Sequence, residues 1–281
     1  MIELDAPRLE LSERELALAV EESLFDLFRS FAGLPGAELE ERDGYVLHHA
    51  FPTNPMFKGV WAPRLTADEL HTAAEEALAW HGERGSPYVF WWAGPSAEPA
   101  DLGARIVSHG FEPYELGAPG QVADLAQLDW GALARVPQGF LADRVHDDRT
   151  LELFGRTFVE AFEIPEWAGR AWVDATRSFG VGRSPWELYV GWLDGRPVST
   201  NMLFFGAGVA TVFAIGTVAD ARGQGIGAAI TLHGLAEARE RGYRYAVLFA
   251  TEKGAPVYRR IGFRDADAAI SRWIWLADRD S

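Results

Sequence analysis

The sequence contains no cysteine. That absence excludes disulfides, thiolate metal sites and a cysteine nucleophile together. No apolar run approaches the roughly 18 to 20 residues that a membrane span requires. The opening "MIELDAPRLE" is acidic and amphipathic, unlike the basic-then-apolar start of a signal peptide. The chain therefore reads as cytoplasmic, with no membrane partner. Lysine is almost missing, with Lys58 and Lys253 alone among many arginines. Net charge is −15, and no stretch concentrates the basic residues into a nucleic-acid-binding face. An acidic field keeps a protein soluble and also favours cationic small molecules.

What is present is ample apolar material. Hydrophobic residues make up 48% of 281, enough for two domains with sizeable cores. Periodicity predicts helices over residues 11–31, 66–84, 100–109, 149–162 and 167–179. A further helix runs from the glycine stretch to Gly242, and a short one covers "PVYRRI". Thr66-Ala-Asp-Glu69 is a capping-box-like start. Strand-like runs are "GYVLHHAF", "KGVWAPRL", "PYVFWWAG", the run beginning "GFEPYEL", "GFLADRVH", "WELYVGWLDG", two around the Gly206–Gly208 turn, "YRYAVLFA", and last strands from Phe263 to Leu276. The polar stretch from Gln127 to Gln138 reads as a linker.

Two segments resemble each other. "LAWHGERGSPYVFWW" (78–92) and "LAEARERGYRYAVLF" (235–249) share a helix, a Glu-Arg-Gly stop, a two-residue spacer and a buried strand. A short helix ending in Gly-Phe follows each, at Gly110-Phe111 and Gly262-Phe263. The repetition implies a duplicated α/β unit. Aligning the stops sets "LTADEL" (65–70) opposite "RGQGIG" (222–227), so the glycines belong to the second copy alone.

Those glycines lie in "GTVADARGQGIGAAITLHGL" (216–235), between a strand and a helix. A Walker A loop is excluded because no lysine ends the stretch. Gly223-x-Gly225-x-x-Ala228 matches the dinucleotide fingerprint in letters, and an NAD-dependent enzyme stays an alternative. However, Ala219–Arg222 separates the strand from the first glycine, where that fingerprint turns at once. The remaining reading is Arg222-x-x-Gly225-x-Gly227 as a collar at a helix N-terminus. Several backbone N–H groups there turn inward toward a pyrophosphate, aided by the helix dipole.

"IGTVADARGQGIGAAI" resembles the acyl-CoA-binding motif of the GNAT superfamily of N-acyltransferases, Gln/Arg-x-x-Gly-x-Gly/Ala. "GAPVYRRIGFRD" resembles that superfamily's second motif, a tyrosine four residues ahead of Gly-Phe. The resemblance implies an α/β (α+β) fold of two tandem GNAT-like domains, each a mixed, mainly antiparallel sheet flanked by helices, as in some actinobacterial acetyltransferases. The first, 1–130, is degenerate, and the second, 136–281, is catalytic.

Carried over by motif, the backbone of Ile215, Gly216 and Thr217 would bind the pantetheine arm. Gly223, Gln224, Gly225, Ile226, Gly227 and Ala228 would supply amides to the pyrophosphate, with Arg222 bracing the collar. Tyr258 would protonate the departing thiolate. Thr251 stands where the family commonly has asparagine contacting the cofactor. Ala246 stands where some relatives carry a glutamate base, so the base is sought among Glu252, Glu187, Glu163 and Asp174. Phe162, Glu163, Trp167, Trp172 and Phe179 suit an acceptor pocket for a partly apolar cation. The co-substrate implied is acetyl-CoA and the acceptor a small, cationic primary amine, in a monomer or homodimer. The alternative is a non-catalytic acyl-CoA-binding protein. His48 and His49 fall on opposite faces of a strand, and no histidine has a partner at ligand spacing, so no metal is expected.

Overall fold

Side-chain caps fix where three of the long helices begin. Ser12 and Glu15 form a capping box for α1 (Glu13–Ser30), Thr66 and Glu69 for α2 (Ala67–Glu83), and Asp147 and Thr150 for α4 (Asp148–Phe162). The other helices are α3 (Leu102–Val107), α5 (Glu166–Phe179), α6 (Ile226–Glu240) and α7 (Ala255–Arg260). The computed structural model describes residues 6–50 and 57–277.

Eleven strands form one sheet. They are β1 (Glu38–Arg42), β2 (Tyr45–His49), β3 (Lys58–Trp61), β4 (Tyr88–Ala93), β5 (Glu112–Asp124), β6 (Phe140–Arg144), β7 (Trp186–Leu193), β8 (Arg196–Gly206), β9 (Val209–Thr217), β10 (Tyr245–Phe249) and β11 (Arg264–Leu276). Their order is β1-β2-β3-β4-β11-β5-β10-β9-β8-β7-β6.

The centre of that order departs from two sheets each closed on itself. β5, from the first half, pairs with β10 of the second, and β11, from the second half, pairs with β4 of the first. β5 and β11 then pair with each other antiparallel. Each half thus lends its last strand to the other's sheet. The physical reason is edge protection: without the loan, β4 and β10 would each present an open hydrogen-bonding edge in mid-sheet. The last strands expected from Phe263 to Leu276 are one strand of 13 residues, broken by bulges, the largest between Asp265 and Ala269. β1 escaped the periodicity because "ELEER" has one apolar residue on an edge strand.

Because each neighbouring pair from β4 to β10 is antiparallel, β4 and β10 run in opposite directions. The two halves are therefore related by an approximate twofold through β5 and β11. α1, α4 and α5 cover one face around a shared core holding Phe28, Trp92, Phe154, Trp172 and Trp186. On the other face, α2 and α3 pack over β2–β4, α6 packs over β7–β9, and α7 packs over β5 and β11. The expected linker packs closely: Leu128 and Ala132 are buried, and the Arg239 guanidinium lies 5.3 Å from the Trp130 ring centroid.

Candidate functional site

A wedge opens in the second half of the sheet. β9 meets β10 at Ala210–Ala246 and Thr211–Val247. Beyond that, β9 stays with β8 as far as Ser199–Thr217, while β10 stays with β5 through Phe249–Gly120. A bulge drives the parting. Ala214 and Ile215 together oppose Asn201, and Ala214 takes a left-handed φ of 50°. The Thr200 hydroxyl donates to the Ala214 carbonyl at 2.8 Å and holds the bulge. One backbone edge of Ile215, Gly216 and Thr217 is left without a strand partner, the arrangement an extended ligand needs to add as a strand. Phe213 and Phe249 face each other across the wedge at 6.0 Å between ring centroids. Phe162 covers Gly216 so closely that a Cβ there would stand 2.6 Å from the ring.

The glycine stretch closes one side of this wedge. Gly223 and Gly225 adopt φ of 77° and 82°, where a side chain is strained. Gly225 is the N-cap of α6, and no side chain caps it. The amides of Ile226, Gly227 and Ala228 lie in the first helical turn and lack intrahelical acceptors. α2 differs: the Thr66 hydroxyl accepts from the Glu69 amide, and the Glu69 carboxylate accepts from the Thr66 amide. The first half thus satisfies its own helix start and places carboxylates there, while the second leaves its start open to an anion. Arg222 ties the open end together. It donates to the Thr217 carbonyl (2.9 Å) and the Ala161 carbonyl (2.9 Å), and pairs with Glu163 at 3.1 Å. Gln224 is exposed, and its amide group reaches the Asp220 carbonyl at 3.5 Å. Residues 62–66 connect β3 to α2, whereas residues 218–225 connect β9 to α6.

Tyr258 lies on α7, just after β10, and packs against Phe263. A Cβ at Gly254 would stand 3.3 Å from its ring, in the turn that follows β10. The side chain is 8% exposed, and burial pushes the phenol above its ordinary range, so it stays protonated. Thr251 accepts the Gly254 amide on its hydroxyl at 3.1 Å and supports the turn into α7. Glu252 is exposed on that turn.

The other acids are placed apart. Glu187 is buried beside Arg144, Arg241, Tyr189 and Glu237 on the α6 face, near that helix's C-terminal end and far from the collar. Burial, then the contact with Glu237, raises its carboxyl. Asp174 pairs with Arg177 at 3.3 Å. Of the aromatic set, Trp172 and Phe179 belong to the core around Trp186, whereas Phe162 and Trp167 keep 38% and 44% exposure. First-half residues also reach this face, since Phe31 and Phe57 both pack on Trp172.

Sequence reasoning missed two supports. Gln121, on the lent strand β5, donates to Asp265 (2.8 Å) and to the Ala255 carbonyl (3.4 Å) beneath α7. The Arg135 carbonyl abuts Gly225, where a Cβ would approach to 2.5 Å. Neither carries a local signal, because each partner is distant in sequence.

Residues 134–259 match the family described as acetyltransferase (GNAT) domain. That stretch, within the second half, is similar to a GNAT acetyltransferase domain. The chain is 33% identical over 105 residues to mycothiol acetyltransferase from Saccharomonospora viridis, a match covering 36% of this chain and 34% of the relative. The match therefore spans about a third of that relative's length. Among solved structures, a GCN5-related N-acetyltransferase from Kribbella flavida superposes with TM-score 0.68 at 18% identity, covering 97% of this chain and 98% of its own. A tandem GNAT protein from the clavulanic acid biosynthesis pathway gives TM-score 0.59 at 17% identity, covering 99% and 100%. Both likenesses extend through the first half, so the tandem GNAT fold describes the whole chain.

Proposed function

We propose that the chain is an acyl-CoA-dependent N-acyltransferase, taking acetyl from acetyl-CoA to a primary amine by direct attack in a ternary complex. The observation that carries the reading is the joining of an open α6 N-terminus to a wedge with an unpartnered backbone edge. The collar amides from Gly223 to Ala228 fit a diphosphate, and Ile215–Thr217 fit the pantetheine amides beyond it. In this reading, Thr251 shapes the turn beside the cofactor, and a backbone N–H near Thr217 meets the tetrahedral oxyanion. Tyr258, protonated and buried on α7, hands its proton to the thiolate as coenzyme A leaves.

The amine must shed a proton before attack. In this reading Glu252, exposed on the turn that follows β10, accepts it through water. Phe162, Phe213 and Phe249 offer apolar and cation-binding surface to the acceptor's stem.

The test is release of free thiol from acetyl-CoA with an amine panel, comparing Tyr258→Phe with the parent chain. Turnover should fall by about 10² or more, the usual scale of general-acid catalysis, with acetyl-CoA affinity retained. Equal loss of turnover and affinity removes the acid role. Tight acetyl-CoA binding without amine-dependent thiol release turns the reading to a non-catalytic binder.

A further inference from the structure

The approximate twofold that exchanges the halves puts a counterpart of the acceptor side at the opposite sheet edge. A cleft of about 450 Å³ lies there. Glu21, Phe25, Tyr45, Ala62, Arg64 and Ser96 line it, and Ala207 of the β8–β9 turn closes one side. No collar accompanies it, and the nearby α2 start carries Asp68 and Glu69, so a diphosphate has no cradle at this edge.

The charges in the cleft do not balance. Arg29 is committed to Asp26 at 2.8 Å and lies over the Trp61 ring, and Arg42 pairs with Glu40 at 2.8 Å. Among the described residues, Glu21, Glu22 and Glu41 then face Arg64 without an ion pair.

Glu21 is the unusual member, at 1% exposure. Its Oε2 accepts the Ser96 amide at 2.9 Å and the Ser96 hydroxyl also lies against the carboxylate, Oε1 has no partner among the described residues, and burial holds the carboxyl above its ordinary range. A buried carboxylate oxygen without a donor is costly, and native proteins rarely keep one without a use. Gly94 makes room for it, since a Cβ there would stand 2.7 Å from Oε1. Ala62, on the cleft wall, holds a left-handed φ of 53°, a strain that clusters at ligand sites.

We propose that this cleft is a second ligand site, binding a small organic ammonium ion through Glu21 with its apolar stem against Phe25 and Tyr45. The volume fits a metabolite-sized molecule. An amine here is bound and not acylated, because no acyl donor is held at this edge. The proposal is independent of the activity assigned to the second half.

The test is calorimetric titration of the full chain, without acyl donor, using phenethylammonium and cadaverine, with 3-phenylpropionate as the anionic control. Saturable binding of at least one amine, and none of the acid, is expected. Glu21→Gln keeps an acceptor for the Ser96 amide and should weaken that amine by about tenfold or more through loss of the buried charge. Arg64→Ala, at an exposed position, should tighten it. Failure of both amines to bind by about 10 mM, well beyond ordinary metabolite affinities, overturns the proposal. So does unchanged binding in Glu21→Gln. Should that variant not fold, Arg64→Ala decides alone: equal or weaker amine binding overturns the proposal. Thiol release by the second half is measured separately, so the two readings fail separately.

Discussion

Gly227→Glu separates binding from folding more cleanly than any other change in the collar. Substitution at Gly225 forces a side chain into a φ of 82° and against the Arg135 carbonyl, so loss of binding there would be confounded with damage. Gly227 has ordinary helical backbone, and a Cβ would meet only the Thr217 hydroxyl at 3.6 Å, facing the wedge. A carboxylate in the first turn is favoured by the helix dipole by about 0.3 to 1 kcal/mol, and removing a helical glycine adds about 0.5 to 1 kcal/mol. The variant should therefore melt at or above the parent temperature. The same carboxylate occupies the diphosphate's place. A like charge about 4 Å away costs about 4 kcal/mol at the screening typical of a protein surface, or about a thousandfold in affinity. Gly227→Ala adds the methyl without the charge and should bind nearly as the parent does. Titrating acetyl-CoA into all three proteins, with melting curves alongside, decides the matter. Parent-like affinity in Gly227→Glu would refute the collar.

Three further outcomes follow from the packing. His81 is fully buried against the Gly59 backbone, and burial first, then the neighbouring His48 and His49, pushes its imidazole down to about 3. Below pH 6.5 the unfolded chain takes up a proton that the folded chain refuses, so stability falls with pH. By pH 4.5 the share of the loss due to His81 should be about 2 to 3 kcal/mol in urea titrations, with His49, also pushed down to about 4, adding its own, and His81→Phe should remove the His81 share alone. Gly216→Val should displace Phe162, 2.6 Å from the new Cβ, and impair acetyl-CoA binding more than it lowers the melting temperature. Residues 136–281 expressed alone lack β5 and leave both β10 and β11 open, so they should show no cooperative unfolding transition, whereas a sharp one would show that the second half does not need the loan.

Much of this architecture was legible because its signals are local. Thr66 and Glu69, or Asp147 and Thr150, lie three residues apart, and apolar periodicity marks α1, α4 and α6 without help from elsewhere. Gly223 and Gly225 announce left-handed backbone by their lack of a side chain. The strand exchange was not legible, because β5 carries the same alternation whether its neighbour is its own β4 or the distant β10. The bulge at Ala214 was equally hidden: alanine does not advertise a φ of 50°, which the Thr200 hydroxyl imposes from the neighbouring strand. Glu187 read as a free strand acid until Arg144 and Arg241 were found beside it, contributed by β6 and the end of α6.

The exchange also ties a half without a collar to the half that has one. In two sheets each closed on itself, nothing in one would depend on the other. Here β10, which forms one wall of the wedge, has β5 as its only neighbour beyond Val247. β5 further carries Gln121 under α7, so the strand that guards β10's edge also supports the helix bearing Tyr258. The first half is therefore part of the second half's site by backbone pairing, whatever becomes of its own helix start. At α2, residues 62–66 close a short connection, and Thr66 and Glu69 satisfy the helix start with their own side chains. The acids at that start and the glycines at α6 are two ways of beginning a helix after a parallel-paired strand, one capped by its own side chains and one left uncapped.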